Sequence, residues 1–185
     1  MLVTVFTNGT LIDADIVTLF KAIPPRGVDI TLYGATAGAY ETITGIAGSY
    51  AACRRGLDLL AAAGIPFRLK TIVTRVNQHE FKAMEELARH YGVRFRYDAA
   101  IFPTLQGDPA PLSHRVTPET AASFDFADPA RDAEWHDQWR RTDPDRPLER
   151  LYACGAGVTA FHIDPDGMLY PCVMSRKILA DGAKE

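Results

Sequence analysis

The chain has 185 residues, 47% of them hydrophobic and 23% charged, with a formal net charge of −3. That is enough chain to bury a full core, and so small a negative charge supplies no field for a nucleic-acid or membrane-surface partner. No apolar run is long enough to span a bilayer, the N-terminus lacks a basic leader before an apolar stretch, and three cysteines, an odd number, suit a reducing cytoplasm better than a disulfide scaffold.

A strand is predicted at once, over Leu2 to Thr7, closed by the turn Asn8-Gly9. Such an abrupt start suggests a chain that begins inside a fold. Asp13 then reads as an N-cap, with Ile16, Leu19, Phe20 and Ile23 at helical spacing. Pro24-Pro25-Arg26-Gly27 stops that helix, and Val28 to Tyr33 is a second strand. A long loop is expected next, with glycines at 34, 38, 45 and 48. Ser49 is expected to cap a helix whose one face holds Tyr50, Cys53, Leu57 and Leu60, with Gly64 at its stop. Phe67 to Val73 is a third strand, His79 to Tyr91 a third helix with Phe81, Met84, Leu87 and Tyr91 inward, and Arg94 to Phe102 a fourth strand.

Alternation of strand and helix, with strands that are nearly continuous apolar runs, predicts an α/β fold on a parallel sheet. Sites in such folds lie at the carboxyl ends of the strands. Here those ends are Thr7-Asn8-Gly9, Tyr33-Gly34-Ala35-Thr36, Thr74-Arg75-Val76-Asn77 and Asp98. Residues 103 to 150 change character: a Pro/Gly-rich loop to Pro111, a short helix opened by Thr117-Pro118-Glu119, and then an Asp-, Arg- and Trp-rich helical linker. Trp135 and Trp139, four apart, read as packing residues of that helix.

From residue 151 the texture is small residues, turns and two cysteines. Cys154 and Cys172 stand in a C-x12-G-x4-C spacing around Asp164-Pro165-Asp166-Gly167, a sequence able to reverse a hairpin. Phe161-His162-Ile163 and Met168-Leu169-Tyr170 are its predicted strands, which bring both cysteines to one end. Two thiolates so placed can serve zinc or an iron–sulfur cluster in part, or they can be unrelated thiols. Cys53 shares an apolar helix face and reads as core.

Four stretches, in order, carry a resemblance to radical S-adenosylmethionine enzymes of the SPASM/twitch subgroup. VTVFTNGTLI (3–12) resembles the family's fourth barrel strand with its TNG turn. VDITLYGAT (28–36) with YETITG (40–45) resembles the fifth strand and its loop, and LKTIVTRVN (69–77) the sixth. The cysteine spacing resembles the opening of the auxiliary-cluster domain. The family's CxxxCxxC is absent, so the resemblance implies a fragment that lacks the cluster-binding loop and performs no radical chemistry alone. It implies residues 1–102 as the carboxyl half of a partial (β/α)6 TIM-like barrel, 103–150 as a linker, and 151–185 as the start of a SPASM/twitch domain.

The resemblance further implies Asn8, Gly9 and Thr10 as contacts to the ribose of S-adenosylmethionine. It places Thr31 and Lys70 in the barrel lumen and Asn77 on its rim as weaker cofactor contacts. It makes Cys154 and Cys172 the first ligands of an auxiliary 4Fe-4S cluster. Lys70, mid-strand among apolar residues, pairs with an anion if it faces the lumen (a carboxylate of cofactor or substrate, or Asp98), or else faces solvent on an exposed edge. Asp98 itself is a candidate substrate or proton-transfer group, or simply a strand terminator. The parent reaction would be reductive cleavage of S-adenosylmethionine to a 5′-deoxyadenosyl radical acting on a peptide or small-molecule substrate. Its partners would be that substrate and the missing N-terminal barrel half. Two rivals stand beside this: a non-catalytic ligand- or peptide-binding module, and a small zinc hairpin shared across a dimer. An unpaired edge at Leu2 to Thr7 is expected to make the chain poorly soluble alone.

Overall fold

A computed structural model describes residues 2–141 and 154–175. It divides into two units: residues 1–101 with 114–121, and residues 102–113 with 122–185. Residues 114–121 group with the first unit.

The first unit holds a four-stranded parallel sheet, β1 (Thr4–Thr7), β2 (Gly27–Thr31), β3 (Phe67–Ile72) and β4 (Phe95–Asp98), in sequence order. Parallel neighbours need long crossovers, and helices supply them: α1 (Ala14–Ala22), α2 (Ala37–Thr44), α3 (Ser49–Ala62) and α4 (Phe81–His90). Period two along the strands sends Val28, Ile30 and Leu32 of β2 and its extension, with Phe67 and Leu69 of β3, into one core. Cys53, Leu57 and Leu60 of α3 and Met84 and Ala88 of α4 close that core from the helix side. Cys53 is buried there, as its helical face predicts.

Local chemistry sets the helix ends. Asp13 Oδ1 accepts the amides of Asp15 (3.1 Å) and Ile16 (2.9 Å), so it caps α1 as expected. The long loop expected after β2 contains α2 instead. Thr36 Oγ1 caps it by accepting the Ala39 amide, and Gly45 closes it in the left-handed region (φ 68°). Ser49 is not the cap of α3: Gly48 holds that position, and the Ser49 hydroxyl pairs with Thr44 Oγ1 at 2.8 Å. The fourth strand ends at Asp98, short of the expected Phe102. The third helix opens with a 3-10 turn, Gln78–Glu80.

The short predicted helix is α5 (Pro118–Phe126), and α6 (Pro129–Arg141), in the second unit, falls within the predicted charged helix; residues 142–150 lie outside the described residues. Trp135 and Trp139, expected to pack, are 49% and 82% exposed, because α6 buries no residue along its length. The predicted hairpin is present as β5 (His162–Ile163) and β6 (Leu169–Tyr170), antiparallel, with His162 opposite Tyr170. Asp164 makes its turn: Oδ1 accepts the amides of Asp166 (3.0 Å) and Met168 (2.9 Å). No helix among the described residues is long and apolar enough to cross a membrane.

Candidate functional site

The carboxyl ends of β1, β2 and β3 form one rim, and each end is fixed by a different device. After β1, Asn8 Oδ1 accepts both the amide (3.1 Å) and the hydroxyl (2.9 Å) of Thr10. The Gly9 amide donates to Thr7 Oγ1 at 3.1 Å, and the Tyr40 hydroxyl reaches the Asn8 carbonyl at 3.4 Å. The turn leans on α3 at Gly56. A Cβ there would land on the Gly9 carbonyl oxygen and lie 3.3 Å from the carbonyl carbon, so only glycine lets helix and turn approach this closely. Beneath the turn lie Tyr40 and Cys53; burial pushes the Tyr40 phenol far above its ordinary range, with Cys53 adding to the rise, and burial also pushes the Cys53 thiol up. Both stay neutral and act as packing.

After β2, the carboxylate of Glu80 holds the loop. Oε2 accepts the amides of Ala35 (2.7 Å) and Thr36 (3.1 Å), and Oε1 accepts the Thr36 hydroxyl. The Tyr50 hydroxyl donates to the Ala35 carbonyl from α3. Glu80 is only 8% exposed, and a buried carboxylate must find such donors. Gly34 makes room for it: a Cβ there would sit 2.8 Å from the Tyr40 amide and 2.9 Å from Glu80 Oε2. Glu80→Ala is therefore expected to cost about 2–3 kcal/mol, since three donors lose their acceptor. Glu80→Gln, which keeps one acceptor oxygen, should cost less; urea melts of the two variants check the order.

After β3, Asn77 is wholly enclosed. Its Oδ1 accepts the Thr74 amide at 2.7 Å and the Thr74 hydroxyl at 3.2 Å. Its Nδ2 donates to the carbonyls of Tyr33 (3.0 Å) and Ile72 (3.1 Å) and to Thr71 Oγ1 (3.4 Å). Predicted as a rim contact for cofactor, Asn77 instead ties the end of β2 to the end of β3.

The sheet face opposite the helices is polar. Register puts Phe6 beside Asp29 and Asp29 beside Arg68, then Thr31 beside Lys70 and Lys70 beside Arg96, then Ile72 beside Asp98. Asp29 pairs with Arg68 at 2.6 Å. Lys70 Nζ lies 4.1 Å from the Phe6 ring centroid, a cation–π contact. Burial pushes the Lys70 ammonium down, Asp29 opposes the shift, and Arg96 adds to it. Asp29 is the carboxylate whose charge bears on Lys70; Asp98 is one of the candidate partners read from sequence. Asp98 Oδ1 accepts the Ala100 amide at 2.8 Å, the strand-terminating role.

In the hairpin unit, Cys154 is exposed and Cys172 half-buried, both free thiols. A Cβ on Gly157 would lie 3.4 Å from Pro171 Cβ, so the segment after Cys154 runs beside the residue before Cys172. The Ser175 hydroxyl donates to the Cys172 carbonyl at 2.7 Å, and Oγ accepts the Cys172 amide at 3.2 Å, fixing that backbone. Among the described residues no group of three or more His, Cys, Asp or Glu side chains is arranged to hold a metal. Glu80, Gly56 and Tyr40 were not singled out from sequence as site-shaping. Glu80 lies 45 residues from Ala35 in the chain, and nothing local marks it.

No protein-family model matches the chain. The mycofactocin maturase MftC of Mycobacterium ulcerans is 30% identical over 189 residues, which cover 95% of this chain and 51% of that protein. AdoMet-dependent heme synthases of Nitratidesulfovibrio vulgaris and Methanosarcina barkeri are 33% and 29% identical over 109 and 106 residues. A solved structure, native anSMEcpe with bound AdoMet and Kp18Cys peptide, superposes with a TM-score of 0.63 over 94% of this chain and 51% of that one, at 16% identity. The chain is similar along most of its length to radical S-adenosylmethionine enzymes. Among radical S-adenosylmethionine proteins it spans about half the length of MftC and 30% or less of the two heme synthases. The MftC alignment leaves only about 5% of the 185 residues, or nine, uncovered, so it includes both Cys154 and Cys172.

Proposed function

We propose that residues 1–102 are the later strands of a partial (β/α)6 barrel that holds S-adenosylmethionine and a peptide substrate. Residues 103–150 connect them to 151–185, which open an auxiliary iron–sulfur domain. The observation that carries this reading is one continuous match to a maturase running through the parallel-sheet unit and both cysteines. S-adenosylmethionine, held at the rim by Asn8, Gly9 and Thr10, would supply one-electron hydrogen-abstraction chemistry.

The residues of this chain orient rather than cleave. Its cysteines, at 53, 154 and 172, contain no CxxxCxxC, so no cleavage step is assigned to them. The Asn8 amide nitrogen, exposed and without a partner among the described residues, can donate to a ribose hydroxyl, and Thr10 beside it can accept. Gly9 keeps the backbone low enough for that approach. Asn77 and Glu80 act behind the rim by holding its loops. Thr31, Lys70 and Asp98 face the substrate side. Cys154 and Cys172 supply two thiolates to the auxiliary cluster, and a cytoplasmic, reducing setting keeps them available.

Anaerobic reconstitution with iron and sulfide tests the cluster assignment. The chain, which carries two of the ligands, should take up iron only in part, with thiolate-to-iron absorption that Cys154→Ser and Cys172→Ser each abolish. Uptake of zinc without iron would replace the cluster with a structural metal site. Calorimetric titration with S-adenosylmethionine tests the rim: Asn8→Ala should weaken binding by about tenfold, the worth of one good hydrogen bond in a desolvated site. Equal affinity in the variant would remove Asn8 from the cofactor site.

A further inference from the structure

His162 Nε2 is shut off from solvent and makes no hydrogen bond among the described residues. Buried polar atoms are nearly always paired, so an orphan of this kind asks for a reason. The strand around it is inverted. Phe161 and Ile163 are 68% and 57% exposed, while the histidine between them is half-buried with Nε2 inward. A strand serving only to cover a core would do the opposite. His162 stands across the hairpin from Tyr170, with ring centroids 6.4 Å apart. Cys172 follows Tyr170 by two residues. In a ladder that is the diagonal neighbour of His162, about 7–8 Å away and within reach of an aromatic side chain. The Cys172 backbone is already pinned by Ser175. His162 is not one of three preformed ligands: among the described residues no group of three or more His, Cys, Asp or Glu side chains is so arranged.

We propose that His162 is a positioning residue whose Nε2–H donates a hydrogen bond to the sulfur of Cys172 when that thiolate holds metal. The inference rests on reading Cys172 as a metal ligand. A neutral thiol is a weak acceptor. A metal-bound thiolate is charged, and hydrogen bonds to a charged acceptor are roughly twice as strong as neutral ones. A buried, unpaired donor near a free thiol therefore suits an acceptor that gains negative charge on binding metal. The imidazole tautomer required carries its proton on Nε2. Donors of this kind orient a ligand and strengthen its hold on the metal. The hairpin thereby contributes more to the centre than its two cysteines.

Cadmium is the probe, because thiolates bind it and it is diamagnetic. The full chain, with isotope-labelled histidine, is loaded with a spin-active cadmium isotope and followed by NMR. The His162 Nε2–H signal should move downfield and show scalar coupling to cadmium, carried through an N–H···S–Cd bond. Loading through Cys172 without that coupling overturns the proposal. Loss of the Nε2 proton with direct cadmium–nitrogen coupling makes His162 a ligand and overturns the donor role too. His162→Phe should weaken cadmium binding about tenfold, one charged hydrogen bond lost. His162→Gln, whose side-chain amide puts a donor near the Nε2 position, should recover most of that affinity. Unchanged affinity in His162→Phe, or an equal loss in His162→Gln, counts against the bond. Urea midpoints of both variants at or above that of the parent chain show that a lost affinity is not unfolding. If either midpoint falls below it, the coupling in the parent chain decides alone. Cys172→Ser separates the two levels of the reading. If the parent binds cadmium, Cys172→Ser loses it and no coupling appears, His162 fails alone. If the parent binds neither cadmium nor iron, Cys172 is not a ligand and the donor role falls with it.

Discussion

Gly56→Ala is expected to destabilise the chain by about 3 kcal/mol, the upper range for forcing atoms into a filled space. In an ordinary helix the same change stabilises by nearly 1 kcal/mol, because alanine is the better helix former. In α3 the sign reverses, since the added methyl meets backbone and not a side-chain tip. The Gly9 carbonyl cannot swing aside without moving the Asn8–Gly9 turn, and Gly9 already holds a φ of 76° that few other residues adopt. Gly38→Ala in α2 is the control. Its nearest neighbour to a new Cβ is Thr36 Oγ1 at 3.8 Å, an ordinary contact, so a gain of about 0.5–1 kcal/mol is expected. Urea denaturation of both variants decides it. A Gly56→Ala chain as stable as its parent would mean that α3 and the turn do not meet as described, and would remove the physical basis for a fixed Asn8.

Asn77→Ala should cost about 3 kcal/mol or more. Three acceptors lose the Nδ2 donor, and the Thr74 amide and hydroxyl lose Oδ1, all at an enclosed position. An unmade buried hydrogen bond costs about 1–3 kcal/mol, and partial water entry into the vacated space offsets only part of five. Asn77→Asp has almost the same shape and separates shape from chemistry. It keeps the acceptor for Thr74 but turns a carboxylate oxygen toward the carbonyls of Tyr33 and Ile72. At neutral pH it should be at least as damaging as alanine. A thermal melt showing Asn77→Asp within 1 kcal/mol of the parent, a small surface-type effect, would contradict the assigned amide orientation.

The strand order was legible because β-branched and apolar runs of strand length alternate with helical periods. The rim was legible as a set of strand ends, though not as a mechanism. Asn8, Gly9 and Thr10 stand where sequence puts them, because an Asn-Gly turn after a β-branched run is a local signal. Thr31 and Lys70 share the inner face, as period two requires. What sequence could not rank was the partner of Lys70: Asp29 and Asp98 both lie on that face, and only the register of three strands separates them. Helix α2 was readable and was missed. Four glycines suggest a loop there, while Thr36 as N-cap and Gly45 as a left-handed stop are the stronger local signals. Glu80 was not readable, because its partners lie in another loop and a carboxylate at a helix start has a sufficient local explanation.

The Glu80 and Asn77 contacts carry a consequence for how a ligand would arrive. One carboxylate grips the loop after β2 from the turn after β3, and one amide bridges the ends of both strands. Neither loop can swing without breaking bonds to the other, so the pair is already ordered before anything binds. Ordering an interface side chain during association costs about 0.5–1.5 kcal/mol each, and here that cost is met at folding. A ligand meeting this rim would therefore find the loops after β2 and β3 already set.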